Sequence, residues 1–350
     1  MPDATFYRPF EKPTKEEWLQ ILGENASKKL VVSDSIQTPV FIYQAPTYPP
    51  LAGKKDNDWN IVEQIKVSNI QKANHAALNA LNGGAEELLF VLRKPIDPSK
   101  LLSSIELPMI HSAFEIKNAG TKKWVTFMEA LAQTTQNSTA IQGSFLLEPF
   151  SKSNRLKPGL KAYLQKGTQL FPRFKLISLR QNSQLDVEAA LARLIQQTEQ
   201  LSKSIKDVQL IATKIRFRLL AGQNILITIA SIRAFKRLWI HWLKQHQLPP
   251  ALPDISVVLD NSHWPADPNQ NRILATTQAM ASVIGGCNHL LIPPVASKMD
   301  DFSVRISRNI QHIMKMESHM DRVVDPAAGS KVVETLTDAI AQGAWDLLRL

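Results

Sequence analysis

The chain has 350 residues, 44% of them apolar, enough for one barrel-sized domain or two ordinary ones. One cysteine, Cys287, excludes an internal disulfide and fits a reducing, cytoplasmic compartment, and no apolar run reaches the roughly 18 residues of a membrane span. The net charge of +10 is spread over lysines and arginines in runs no longer than two, which reads as a solvated basic surface and not as a nucleic-acid tract.

Residues 1–67 read as an N-terminal arm. The opening MPDATFYRPFEKPTKEEW carries acids and prolines and no apolar h-region, so no signal peptide is expected. Thr14 with Glu17 forms a capping box ahead of Trp18, Leu19 and Leu22, which predicts one short helix. The stretch PVFIYQAPTYPPLAGKKDNDW is rich in proline and aromatic residues without a period. It is expected to lie extended on the main domain or on a partner.

Residues 68–350 carry a different rhythm. A helix stopped at Gly83-Gly84 leads into the apolar run Leu88–Leu92. Further runs follow at 107–114, 139–147, 174–180, 214–220, 255–260, 289–293 and 322–325, eight in all, each trailed by a helical pattern. Val187, Leu191, Leu194, Leu201 and Ile205 mark one buried helix face, and Val333, Leu336, Ile340 and Leu347 another. The alternation predicts an α/β fold, a (β/α)8 TIM barrel with an extended N-terminal arm; a doubly wound open sheet is the alternative.

Chemistry in such a barrel sits at the C-terminal strand ends. Ionisable residues there are Glu115, Glu148, Arg180, Asp260 and Asp325. Asp260, with His263 following, could serve as a general base, but Asp-Asn-Ser after a strand is also ordinary turn chemistry. DPAAGSK at Asp325–Lys331 has one glycine and an acid, so it reads as a joint into the last helix and not as a phosphate loop. HExxH, CxxC, GxSxG and GxGxxG are absent, and the eight histidines have no metal-ligand spacing. In KIRFRLL, Lys214, Arg216 and Arg218 alternate with apolar residues and are expected to point toward the barrel axis. With Phe90, Met109, Phe145 and Leu176 on other strands, a plugged interior is expected.

FRLLAGQNILITIASIRAFKRLW, NRILATTQAMASVIGGCNHLLIPP and, above all, DFSVRISRNIQHIMKMESHMDRVVDPAAGS and VVETLTDAIAQGAW resemble the barrel domain of methylmalonyl-CoA mutase. The ordered signature is Arg305, Arg308-Asn309, Glu317-Ser318, Asp325-Pro326, Gly329-Ser330, Glu334, Leu336-Thr337 and Ala344-Trp345. The resemblance extends from about Trp18 to Trp345, strongest in the C-terminal third. It implies a (β/α)8 barrel and membership of an isomerase that interconverts methylmalonyl-CoA and succinyl-CoA, in propionate metabolism, with adenosylcobalamin.

The family's active-site pattern is broken here. Gln64 stands at the position of its pocket tyrosine, Leu146 replaces a glutamine, and SLRQNS, with Arg180, stands where Gly-Tyr-His follows strand four. The Asp-x-His-x-x-Gly motif that ligates cobalt does not occur, and the cobalamin-binding domain is expected to be absent. Gln64, Leu146 and Arg180 thus read as degenerate pocket positions. The pattern resembles the family's small subunit: no cofactor bound by this chain, adenosylcobalamin supplied through the large subunit, a heterodimer with that subunit, and a homodimer as the alternative in isolation. The alternatives to a non-catalytic subunit are an active mutase or other barrel enzyme with Arg218, Asp260 and Asp325 at the mouth, and a binding module for nucleic acid or other anions.

Overall fold

Apolar runs that alternate with amphipathic helices must bury one sheet face inside a helical ring and the other against itself. The computed structural model describes Thr14, Glu16, Glu17, Gln20, the strands Val31–Ser33 and Ile36–Pro39, and residues 55–349 other than 136, 152 and 297–299. Eight parallel strands close into a barrel: β1 (Asn60–Val67), β2 (Glu87–Leu92), β3 (His111–Ile116), β4 (Gln142–Leu147), β5 (Phe174–Arg180), β6 (Ile215–Ala221), β7 (Asp254–Leu259) and β8 (His289–Leu291). The expected (β/α)8 architecture is borne out, and the open sheet is excluded because β8 pairs with both β7 and β1.

The helices are α1 (Ile70–Asn82), α2 (Pro98–Leu101), α3 (Thr121–Thr134), α4 (Leu160–Leu170), α5 (Val187–Ile205), α6 (Val208–Lys214), α7 (Ile225–Gln245), α8 (Pro268–Ile284), α9 (Asp301–His312) and α10 (Lys331–Arg349). Their starts follow local chemistry. The side chains of Asn69, Asn224 and Asp300 accept hydrogen bonds from first-turn amides, and Asp267 does so ahead of Pro268. Strands β3 and β4 approach so closely at Gly143 that a Cβ there would lie 1.8 Å from the Ser112 carbonyl oxygen.

Two expectations about the strands are corrected. The first barrel strand is Asn60–Val67, inside the segment read as arm, so the barrel begins before residue 68. Its polar residues hide it: Glu63 faces outward and is neutralised by Arg308 of α9, so NIVEQIKV lacks an uninterrupted apolar run. Conversely, 322–325 forms a bend and no strand. The last helix, α10, packs against α7 and α5. Arg233 on α7 pairs with Asp325 and Glu334, and Arg237 with Glu334 and Asp338, so α10 is clasped to the helical ring. DPAAGSK is a joint, as expected: Ser330 accepts from the Glu334 amide at 2.8 Å as the helix starts.

Of the arm, the capping box is present, with Glu17 N donating to Thr14 Oγ1 at 3.2 Å and Thr14 N donating to Glu17 Oε2 at 2.7 Å. Trp18, Leu19, Leu22 and the proline-rich stretch 40–54 lie outside the described residues. The strands Val31–Ser33 and Ile36–Pro39 pair antiparallel, and the second lies against α10. Among the described residues no helix is long and apolar enough to cross a membrane.

Most of the core lies between barrel and helices. Phe90 and Phe114 stack at 5.5 Å, and Phe145 meets Phe174 at 4.7 Å and Phe171 at 5.2 Å. Such pairs contribute about 0.5–1.5 kcal/mol each beyond burial. A π-helical turn, Ile313–Glu317, continues α9. There the Lys315 ammonium donates to Trp59 O and Glu86 at 2.7 Å, tying the last barrel helix to the start of β1 and β2.

Candidate functional site: the barrel interior and its mouth

Side chains alternate along each strand, so register decides which residues share the axis. Glu87 pairs in register with Val62 and His111, Arg216 with Asp254, and His289 with Asn60 and Ser256. These residues sit at or near the first positions of their strands and form the floor. Arg216 is 3% exposed; its Nη1 donates to Glu87 Oε1 at 2.6 Å, and its Nε lies 3.5 Å from Asp254 Oδ2. His289 faces Glu87 through Nδ1 and Asp254 Oδ1 through Nε2, the latter at 3.0 Å. His111 stands edge-on to His289 at 5.9 Å.

Two cations and two carboxylates therefore balance in a dry layer. Burial pushes the Glu87 carboxyl up, but Arg216 and His289 outweigh it and bring it down to about 2. Asp254 is held far below the carboxylate range: burial again opposes, while Arg216 and His289 prevail. Burial and neighbouring Arg216 push His289 down, yet Glu87 and Asp254 leave it raised, so it is the imidazolium that the layer stabilises.

Above the floor aliphatic side chains share the axis with Ser178 and Ser256, which lie in register with Arg216 and with His289. Val62, Leu89, Val91, Ala113, Leu146 and Leu291 form one buried cluster with Val258 against it. The inward orientation of Arg216 and Arg218 is as expected, while Lys214 lies below the floor, its ammonium 3.4 Å from Phe174 O. The phenylalanine part of the expected plug is corrected. Phe90 and Phe145 belong to the outer core, Leu176 packs there too, and Met109 is 82% exposed. Strand alternation turns these side chains toward the helices and leaves the smaller aliphatics on the axis.

The mouth gathers most of the sequence-predicted positions. Gln64, Arg180 and Arg218 line one pocket of about 170 Å³, together with Arg308. Leu146 and Arg180 line a larger cleft of about 910 Å³. Arg218 Nη1 donates to Glu115 Oε2 at 3.0 Å, and burial lowers its pKa against the pull of Glu115. Asp260 accepts from the Ser262 amide at 3.0 Å, the ordinary turn weighed above, and it lines neither pocket. Asp325 does not join the mouth, because its segment is the clasped turn beside Arg233. What the sequence reading missed is the ionic floor. Its signal was there: Glu87, Asp254 and His289 each open an apolar run.

A cobalamin implied by the resemblance would need an imidazole on cobalt. No histidine lines the three pockets that meet at Arg180, and among the described residues no group of three or more His, Cys, Asp or Glu is placed to hold a metal ion. These residues do not fit a cobalt-ligating role.

Residues 181–350 match the methylmalonyl-CoA mutase family. The chain is 28% identical to the methylmalonyl-CoA mutase small subunit of Porphyromonas gingivalis over 319 residues, 83% of this chain and 52% of that relative. It is 31% identical to the small subunit of Streptomyces virginiae over 169 residues, 47% of this chain and 27% of that one. The chain thus spans about half the length of the first of these relatives and less of the second. Among solved structures, the dihydropteroate synthase of Yersinia pestis overlaps 73% of this chain and 93% of its own, with a TM-score of 0.43 and 12% identity, too loosely to bear on the chemistry. By sequence, then, the chain is similar to the methylmalonyl-CoA mutases, and in particular to their small subunits.

Proposed function

We propose that this chain is a small, non-catalytic subunit of an adenosylcobalamin-dependent methylmalonyl-CoA mutase, and that it stabilises the catalytic large subunit as a heterodimer in the cytoplasm. The observation that carries the reading is the filled axis. An acyl-CoA that threads a barrel needs a bore wide enough for its pantetheine arm. Here that volume holds the Arg216–Glu87–Asp254–His289 layer and the aliphatic cluster above it. At native packing density two sets of atoms do not share it. Gln64, Leu146 and Arg180 add to this as degenerate pocket positions: an amide, an aliphatic and a guanidinium provide neither a phenol nor an imidazole beside a reacting group. The cofactor then belongs to the large subunit, and a homodimer is the fallback of the isolated chain.

The test is co-expression with a large mutase subunit. The two chains should co-purify, and the pair should interconvert methylmalonyl-CoA and succinyl-CoA when adenosylcobalamin is supplied. The isolated chain should show neither turnover nor a change in the cobalamin spectrum. Turnover by the isolated chain would overturn the reading. The competing reading, an active barrel with Arg218 and Asp260 at its mouth, is weakened because each group is already engaged, Arg218 with Glu115 and Asp260 with its own turn.

A further inference from the structure

The ends of β3, β4 and β5 leave a cleft of about 910 Å³ that the subunit reading does not use. Its floor is apolar, with Ile116, Leu146 and Phe150. Its walls are cationic: Lys117, Lys122, Lys123, Lys157 and Arg180. Two carboxylates, Glu115 and Glu148, stand among them; Glu115 is engaged by Arg218 at 3.0 Å, and Glu148 faces Lys157. The balance of the cleft is strongly positive.

Three features turn this charge toward a ligand. Arg180 has no ion pair or side-chain hydrogen bond among the described residues, although Arg218 stands beside it. Lys157 is held at the wall by the Ala119 carbonyl at 3.3 Å. Helix α3 starts at Gly120 with no capping side chain, and Gly120, Thr121, Lys122 and Lys123 of its first turn line the cleft. A polar extension of about 340 Å³ adjoins the cleft and shares Arg180 and Glu148 with it.

We propose that this cleft binds a phosphate-bearing small molecule, with the phosphate held by Arg180, Lys157 and the first-turn amides of α3, and its body resting on Leu146 and Phe150. The planar fork of a guanidinium and the point charge of an ammonium suit phosphate oxygens, and an N-terminal helix turn adds amides without further charge. The site stands apart from the subunit reading, and either can fail alone.

Isothermal titration of the whole chain with inorganic pyrophosphate tests it. Saturable one-to-one binding is expected, weakening as salt rises. Arg180→Gln and Lys157→Gln should each weaken it by roughly tenfold, the loss of one charge-assisted contact. Arg305→Gln should leave it unchanged, since that guanidinium lies over the Phe302 ring at 5.5 Å and outside the cleft. Arg180 is exposed and unpartnered, so its variant should keep the fold, which a circular-dichroism melt checks. Absence of saturable heat would overturn the proposal. So would equal binding by Arg180→Gln and wild type, which would reduce the effect to general attraction by a chain of net charge +10.

Discussion

The two ends of the barrel hold arginines on one strand, Arg216 at the floor and Arg218 at the mouth, and treat them differently. Arg216 is enclosed with Glu87, Asp254 and His289, and its charge is neutralised inside the layer. Arg218 meets Glu115, which is 20% exposed, and leaves Arg180 beside it without a counter-ion among the described residues. A buried charge without a partner is costly, whereas a charge facing water is cheap to leave available. The floor is therefore committed to holding the barrel together, and the mouth keeps cations available for something else.

The comparison breaks most readily at Arg216. Arg216→Met strands Glu87 and Asp254 together in a dry layer, and about 3–5 kcal/mol of stability should be lost in urea unfolding. A loss under about 1 kcal/mol would mean that the layer is wetter or looser than its geometry. Acid probes the same layer without a mutation. The folded Glu87 carboxyl lies at about 2, below its ordinary 4.5, so its contribution is present above pH 4.5 and disappears as pH falls toward 2. That shift is worth on the order of 3 kcal/mol.

His289 gives the opposite sign. Its folded pKa is raised above the ordinary 6.5, so its contribution is full below that value and fades as pH rises through the folded one. Arg216, Glu87, Asp254 and His111 face it, and Lys175 acts on Asp254 from β5. Denaturation midpoints of wild type should therefore decline from pH 6.5 upward, and those of His289→Gln should not. Midway up the axis, Leu89→Ala opens a cavity among aliphatics and should cost about 2–4 kcal/mol in the same assay. The smallest effect belongs to the mouth: Arg180→Gln should change stability by less than about 0.5 kcal/mol. A larger loss would show that the mouth arginine is structural and that the contrast between the two ends is false.

Much of this was legible in the chain. Seven of the expected apolar runs overlap barrel strands, and the alternation in KIRFRLL put Arg216 and Arg218 on the axis. Strand β1 escaped because Glu63, Gln64 and Lys66 interrupt its apolar pattern; Glu63 is satisfied by Arg308, 245 residues away. The run at 322–325 misled for the converse reason: Val323 and Val324 look like strand but lie in a bend, beside which Asp325 pairs with Arg233. Asp325 was placed at the mouth by that error. Gln64, Leu146 and Arg180 do meet the mouth pockets, because each lies toward the C-terminal end of its strand, a position that sequence order alone fixes.

From the sequence alone came the fold class, the inward face of β6 and the family resemblance, since hydrophobic period and residue order are written locally along each segment. Tertiary structure alone decided which charges meet. Arg216 reaches Glu87 across 129 residues, His289 across 73 and Asp254 across 38. That meeting depends on the stagger at which the strands close, and a stagger is a relation among strands that no single strand carries.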